Sequence, residues 1–277
     1  MNCIDFDKKF EAYTRGWMAR NAERYNNNMD VIEGMMPDVY MEFLRKPATW
    51  LGGKSPMAYF EQYTDADALV KWMCEYYKQD VPVPDLLLER ITELGDAAEK
   101  ALLALPFAPK KKVPHEAALT AISLLREMES TAPMAQYIAY IAAMEEPDEK
   151  GDMCAESLLS MGEAAAAPIL DALSDAKEAG RDVFADILSN YPGDERIFDL
   201  LMERFAQAKD RRALFASYLA KLGDDRALPV LKEAAQDDGV NYLDYVEIVN
   251  AIEALGGERP VERDFSGDPY YESMKRV

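Results

Sequence analysis

Histidine and cysteine, which often act in catalysis and metal binding, are scarce in this chain. His115 is the sole histidine among 277 residues, so a site with several histidine ligands is excluded and a histidine-based triad has only one candidate base. It follows Pro114 near a predicted helix start, and we expect it at the surface. Cys3, Cys74 and Cys154 are far apart and lack the paired spacing of a zinc site or a disulfide framework. The sequence therefore predicts no catalytic residues, no metal and no cofactor, and its cysteines suit a reducing compartment.

Two other patterns invite a ligand. Residues 48–55 are one residue short of a phosphate-binding loop, which would need glycine in place of Ala48. That loop follows a β-strand, whereas residues 42–45 look helical, so we expect a plain loop between helices. Acidic clusters at 145–149 and 237–238 lack the alternating oxygen ligands of a calcium loop and are expected to be solvated turns.

The charge of the chain is strongly negative and unevenly distributed. The formal net charge is −20; residues 1–80 carry 10 basic and 13 acidic side chains, and residues 81–257 carry 17 and 33. Nucleic-acid binding normally requires a basic surface, so we expect no nucleic-acid partner. The amino terminus lacks the features of a signal peptide and no apolar run approaches the length of a membrane span, which predicts a cytoplasmic protein without membrane contact.

A short corner recurs with a period of about thirty residues and organises the second half of the chain. It consists of a glycine followed by an acidic residue, and Gly162, Gly193 and Gly223 are 31 and 30 residues apart; the pair Leu255-Gly256 follows 33 residues later without the acidic residue. Glycine permits the left-handed conformation that ends a helix, and the acidic residue can cap the next helix. Such a period predicts stacked helical hairpins.

The apolar positions of these hairpins repeat in register. The first helix before Gly223 places Leu214, Phe215, Tyr218, Leu219 and Leu222 on one stripe, and a shift of 31 residues finds Val183, Phe184, Ile187, Leu188 and Tyr191. Cys154 shares the position of Phe184 and Phe215 and should be buried and unreactive. The second helices align Ala167 with Phe198 and Leu228, Ile169 with Leu200 and Val230, and Leu170 with Leu201 and Leu231 as their buried face. Arg196 and Arg226 both stand three residues after a corner glycine, where they can pair with nearby acids.

The pattern divides the chain into three parts. Residues 1–80 are rich in aromatic residues and form a helical cap, with helices at about 6–25, 29–45, 56–63 and 65–79. Their aromatic side chains either fill a core or, as at Tyr76 and Tyr77, also form a binding patch. Residues 81–257 form the repeats, and residues 258–277 form an irregular tail that can fold back over the last hairpin. The expected fold is all-α.

The corner from Gly223 to Pro229 resembles the short HEAT-like repeats of phycobilisome-lyase-type and related bacterial proteins, over residues 85–257. The resemblance implies an α-α superhelix of five to six hairpins, a curved right-handed stack that serves mostly as a protein-binding scaffold. The string from Trp50 to Pro56 also resembles a segment of some bacterial antitoxin-type helical proteins, although a common turn between helices explains it equally well.

We therefore predict a non-catalytic adaptor that binds a protein or peptide, preferably a basic one, on the concave face of the repeats. The candidate binding residues on the second helices are Asp171, Met202, Lys232, Glu203 and Glu233. The alternative is a maturation factor or lyase-like enzyme that holds a small molecule between the cap and the first repeats; a deep apolar pocket beside Trp50 or Trp72 would favour it. The oligomeric state and the natural partner stay open.

Overall fold

The computed structural model describes residues 2–26 and 28–274, and these residues form helices, turns and irregular segments without a β-strand. The all-α class is therefore confirmed. The chain separates into two compact units, residues 1–132 and residues 133–277.

Eight α-helices build the described part of the first unit. In chain order they are α1 (Phe6–Asn21), α2 (Met29–Gly34), α3 (Met36–Arg45), α4 (Pro56–Tyr59), α5 (Ala66–Lys78), α6 (Asp85–Glu93), α7 (Asp96–Leu102) and α8 (His115–Glu127). Short 3₁₀ turns at Ala22–Tyr25, Thr49–Leu51 and Phe60–Gln62 extend or link them. The four helical stretches predicted for residues 1–80 are confirmed. Those at 6–25 and 56–63 are each an α-helix followed by a 3₁₀ turn, that at 29–45 is two consecutive helices, and that at 65–79 is the single helix α5.

Side-chain caps explain where several of these helices begin. Asp5, Asn28 and Asp65 each accept a hydrogen bond from a backbone N–H of the first turn. Ser55 caps α4 in the same way and is followed by Pro56 at the first helical position, as the sequence predicts.

Helix α5 is the centre of the larger apolar core of this unit. Leu69, Met73 and Tyr76 are fully buried on it, and α6, α7 and α8 pack directly against it. The Tyr77 hydroxyl lies 2.5 Å from that of Thr120 on α8. The division between units consequently falls after residue 132 and does not coincide with the predicted boundary at residue 80, because residues 85–127 share a core with α5.

Nine α-helices build the described part of the second unit. They are α9 (Met134–Ala143), α10 (Glu149–Ser160), α11 (Ala166–Ala172), α12 (Glu178–Leu188), α13 (Glu195–Gln207), α14 (Arg212–Leu222), α15 (Leu228–Ala235), α16 (Tyr242–Ala254) and α17 (Pro269–Met274). Helix α12 packs against α13 and α13 packs against α14, and α16 packs against both α14 and α15.

Most of the repeated stripe and its corners are present as predicted, but Leu214, the first stripe position before Gly223, is 40% exposed. Cys154, Phe184, Phe215 and Ile248 occupy the same position of four successive first helices, and all four are fully buried. The corner glycines Gly162, Gly193, Gly223 and Gly256 all have positive φ, between 72° and 110°.

Two details of the predicted pattern are wrong. The first aligned position of the second helices is not part of the buried face: Ala167 is exposed, while Phe198 and Leu228 are half-buried. This position lies at the edge of the buried face. At the third aligned position, the side chains of Leu201 and Leu231 are fully buried. The acidic cap is also not general, because Asp194 and Asp224 cap the helix that follows them but Glu163 does not.

The tail of the chain is irregular over residues 258–268 and then forms α17. Phe265 is buried and lies against Tyr242 and Tyr245 of α16, with ring centroids 5.0 and 4.8 Å away. The tail therefore covers α16, in agreement with the expectation that it folds back. Within residues 2–26 and 28–274, none of the helices combines the length and apolar character needed to cross a bilayer.

Candidate functional site

The five predicted binding residues lie on three helices of the second unit. Asp171 is in the last turn of α11, Met202 and Glu203 lie on α13, and Lys232 and Glu233 lie on α15. All are exposed except Met202, which is half-buried. Glu203 accepts a hydrogen bond from the Gln207 amide at 2.8 Å, one turn further along α13. These side chains are therefore accessible, as a binding surface requires.

Arginines at the corners connect these helices in succession. Arg196 Nη1 lies 3.6 Å from Asp171 Oδ1, which joins the start of α13 to the end of α11. Asp194 Oδ1 accepts the Arg196 backbone N–H at 2.9 Å, and its other oxygen lies 2.7 Å from Arg196 Nη2. Asp171 is thus partly engaged within the protein.

The next corner repeats this arrangement. The Arg226 guanidinium donates to both carboxylate oxygens of Glu195 on α13, at 2.7 and 3.0 Å, and also bonds Asp224 beside it. It lies over the Phe198 ring, 4.2 Å from the centroid. The hydrogen bonds from Arg226 hold the pKa of Asp224 below its usual value, as those from Arg196 do for Asp194. The predicted pairing of both arginines is confirmed.

A shallow charged groove of about 310 Å³ lies beside Glu203. It is lined by the end of α11, by α12 and by α13, through Leu173, Ser174, Arg181, Arg196, Asp199, Leu200, Glu203 and Arg204. Two of its arginines are neutralised within the protein, since Arg196 pairs with Asp171 and Asp194 and Arg204 pairs with Glu178 and Asp182. Asp199 and Glu203 are exposed on its rim.

Arg204 forms the buried base of this groove. It is 2% exposed and reaches Glu178 and Asp182 on α12 at 2.6 and 2.5 Å, and Asp182 also pairs with Arg211. The hydrogen bond from Arg204 lowers the pKa of Glu178. A buried charge is tolerated only when it is paired, and here one arginine ties α12 to α13 through two carboxylates.

Sequence reasoning missed Arg204, Asp199 and Arg181. For Arg204 a signal was present, because it stands three and four residues after Leu201 and Leu200 and so continues the buried stripe of α13. A charged residue at a stripe position indicates a buried ion pair. Asp199 and Arg181 carry no such signal, since they are ordinary polar positions that only the packing of α12 against α13 brings to one groove.

The second unit holds most of the negative charge. Residues 133–277 carry 30 acidic and 15 basic side chains, whereas residues 1–132 carry 21 and 16. Further cations of this unit are also engaged with acids, in the pairs Lys177–Glu145, Lys221–Asp186, Arg212–Asp237, Arg259–Glu253 and Arg263–Asp238. The unit has twice as many acidic as basic side chains, so its surface carries a surplus of negative charge.

The other residues considered for catalysis or ligand binding are His115, Cys154 and the loop 48–55. His115 is exposed, as predicted. Cys154 is fully buried, and burial raises the pKa of its thiol to about 12, so the reactive thiolate is disfavoured. Residues 48–55 follow helix α3 and contain a 3₁₀ turn, which confirms a loop between helices. Over residues 2–26 and 28–274, no cluster of histidine, cysteine and acidic side chains is arranged to hold a metal.

The aromatic residues of the first unit mainly fill its core, but a cleft adjoins Trp50. Tyr76 is fully buried, and its hydroxyl bonds both the N–H and the C=O of Ile4. The cleft beside Trp50 measures about 520 Å³ and is lined entirely by residues between Lys9 and Pro56. The alternative prediction placed a pocket between residues 1–80 and the first repeats; this cleft lies wholly within the first of those segments.

Comparisons of the chain with protein-family models, with curated proteins and with solved structures give no match.

Proposed function

We propose that residues 133–277 belong to a HEAT-like solenoid whose second helices present a binding surface for a basic protein segment. The protein acts as a non-catalytic adaptor in the cytoplasm. The observation that carries this proposal is the separation of charge in the second unit: many arginines and lysines bond to acids of neighbouring helices, while carboxylates such as Glu203 and Glu233 stay exposed.

A solenoid arrangement is supported by the period of the corners and by their repeated links. Arg196 connects α13 to α11, and Arg226 connects the turn before α15 to α13, so the same residue of each corner reaches the preceding second helix. In this architecture the second helices lie side by side and their polar positions meet the partner.

A basic partner is supported by charge complementarity. Opposite potentials accelerate association and exclude partners of like charge, and their effect weakens with salt because mobile ions screen exposed charges. The rim carboxylates Asp199 and Glu203 flank the groove of about 310 Å³, which is large enough to receive one long side chain. A lysine or arginine of an extended segment suits this position.

Charge reversal at two exposed acidic positions, Glu203 and Glu233, tests the surface. The tagged protein is used to capture partners from lysate of its own source at about 50 and about 300 mM NaCl, and the variant Glu203→Lys with Glu233→Lys is compared. We expect wild type to retain a basic protein at low salt and release it at high salt, and the variant to lose it at both. Asp171 is left unchanged because its replacement would also break the link to Arg196.

The matched control carries Glu247→Lys and Glu258→Lys, two exposed acids of the same unit outside the second helices. It changes the net charge equally and should retain the partner. Equal retention by the Glu203 and Glu233 variant would overturn the proposed surface, and loss with both variants would show that only the total charge matters.

A further inference from the structure

The cleft beside Trp50 in the first unit has features that the proposed adaptor surface does not use. It lies between α1, α3 and the 3₁₀ turn at Thr49–Leu51 and measures about 520 Å³. This volume is within the range of small-molecule sites, roughly 300 to 1,000 Å³. Tyr13, Phe43 and Trp50 supply its aromatic wall.

The aromatic wall is held in place by packing. Phe43 is buried and stacks on Trp50 with centroids 6.4 Å apart, and its ring lies 5.5 Å from that of Tyr13. Phe6 packs edge-on against Trp50 at 5.4 Å. Tyr13 donates its hydroxyl to Glu42 at 2.6 Å, and burial together with this bond raises the pKa of Tyr13 to about 12. A ligand would therefore meet a preformed, neutral aromatic surface.

The charge of the cleft is opposite to that of the chain. Its lining contains Lys9, Arg20 and Lys46 and no aspartate or glutamate, in a protein of net charge −20. Lys9 Nζ lies 5.5 Å from the Trp50 ring centroid, and Lys46 Nζ lies 5.2 Å from that of Tyr13. Among the described residues, none of the three cations has a carboxylate within 4.0 Å. These three cations therefore share one cleft that has no acidic side chain in its lining.

The absence of a side chain at one helix position keeps the cleft open. Gly16 lies on its α1 wall, and a Cβ atom built there would meet only the Arg20 guanidinium, at 3.4 Å. A longer side chain at position 16 would enter the cleft without removing any charge. This gives a way to block the cleft separately from altering its cations.

We propose that this cleft binds a small organic anion with a flat apolar body, whose ring lies against Trp50 and Tyr13 and whose anionic group is bound by Lys9, Lys46 and Arg20. Apolar contact with the aromatic wall provides affinity, and charge-assisted hydrogen bonds from the cations select a carboxylate or similar group over a neutral one.

Calorimetric titration of the full-length protein with naphthalene-2-acetate and with naphthalene-2-acetamide tests the proposal. The two probes share a ring, and only the first is charged at pH 7. We expect the acid to bind at least about tenfold more tightly than the amide, since a hydrogen bond to a charged group contributes more than 1.4 kcal/mol. Equal affinity for both probes, or no heat of binding for the acid at millimolar concentration, would overturn the proposal.

Three variants locate the site. Lys9→Gln with Lys46→Gln should weaken binding of the acid at least about tenfold and bring its affinity near that of the amide. Gly16→Leu retains all three cations and should abolish binding of both probes. Arg45→Gln removes an exposed cation next to Lys46 that does not line the cleft, and it should leave binding unchanged.

The variants must also be shown to be folded, by far-ultraviolet circular dichroism and thermal unfolding. If Gly16→Leu fails to fold, the comparison of the double glutamine variant with Arg45→Gln decides the question alone, because all of these positions are exposed. Equal affinity in those two variants would place the binding elsewhere. The adaptor variant at Glu203 and Glu233 should bind the acid normally, so failure of one proposal leaves the other standing.

Discussion

At the scale of single residues, arginine has two different tasks in the second unit. Arg204 is buried and satisfies Glu178 and Asp182, so it fixes α12 against α13 in an environment where an unpaired charge would be costly. Arg226 is exposed and reaches Glu195 and Asp224 from the surface, where ion pairs contribute less because water and salt screen them. Geometry alone is therefore a poor guide to the contribution of each arginine.

The pH dependence of the Arg226 link can be predicted from the lowered pKa of Asp224. Hydrogen bonds from Arg226 hold that pKa below its ordinary value of 3.8. A carboxylate with a lowered pKa stabilises the folded state fully above its unfolded pKa, and this stabilisation is lost as pH falls through the folded pKa. Urea unfolding of wild type and Arg226→Gln should thus show a constant difference in unfolding free energy from pH 7 to about pH 5 and a shrinking one below about pH 4.

Lys232→Gln is a suitable comparison for this experiment. Lys232 is exposed on the following helix, and no carboxylate of the described residues lies within ion-pair distance of it. The difference in unfolding free energy between wild type and Lys232→Gln should not shrink at low pH in the same way. If the difference between wild type and Arg226→Gln persisted unchanged at pH 2.5, the link to Asp224 would not form in solution.

At the scale of helices, the backbones of α9 and α12 in the second unit approach each other closely at Gly180. Gly180 lies in the first turn of α12, and a Cβ atom there would meet the Ile141 carbonyl oxygen of α9 at 2.3 Å. Backbone atoms cannot move aside as a side chain can. We expect Gly180→Ala to lower the free energy of unfolding by about 1–3 kcal/mol, measured by chemical denaturation.

Gly151→Ala provides the control for this prediction. A Cβ atom at Gly151 would also meet a neighbour at 2.3 Å, but that neighbour is Met144 Sδ at the end of a flexible side chain. Its cost should stay below about 1 kcal/mol, because methionine can change rotamer. Equal losses for the two variants would mean that α9 and α12 are not in close backbone contact.

The helices and corners were predictable from the sequence because their signals are local. Gly223 ends α14, Asp194 and Asp224 cap the helical segments that follow them, and the apolar stripe containing Phe184 and Phe215 needs only the helical period. The cleft beside Trp50 was not predictable in this way. It depends on how α1 and α3 cross, which brings Lys9 and Trp50 together over 41 positions of sequence, and no local pattern encodes that crossing.

At the scale of the whole chain, the boundary between the units can be tested with fragments. Leu87, Ile91 and Leu102 are fully buried in the core that surrounds α5, so a fragment that ends at residue 80 would expose that core to water. We expect fragment 1–132 to unfold cooperatively on heating and fragment 1–80 not to, as followed by circular dichroism. Cooperative unfolding of fragment 1–80 with similar midpoint would support the boundary predicted from composition.

The candidate binding residues show the same limit of sequence reasoning at this scale. Alignment on the corner glycines placed Glu203 and Glu233 on exposed helix positions, which the structure has. It could not show that Asp171 is engaged by Arg196, because that contact joins helices whose separation depends on packing. Which side chains are free to meet a partner is decided by such contacts and not by their position in the repeat.

The ion pair between Arg226 and Glu195 joins residues that are 31 positions, about one period, apart in the chain. A segment of residues 193–222 carries Glu195, which receives the arginine of the following corner, and Arg196, which stands where Arg226 stands in its own corner. A tandem duplication of these thirty residues would supply each new corner with an acid in front and an arginine behind. Such a duplication would preserve the corner link at the join, whereas Glu178 and Asp182, which pair with the buried Arg204, lie outside residues 193–222 and would not be copied with it.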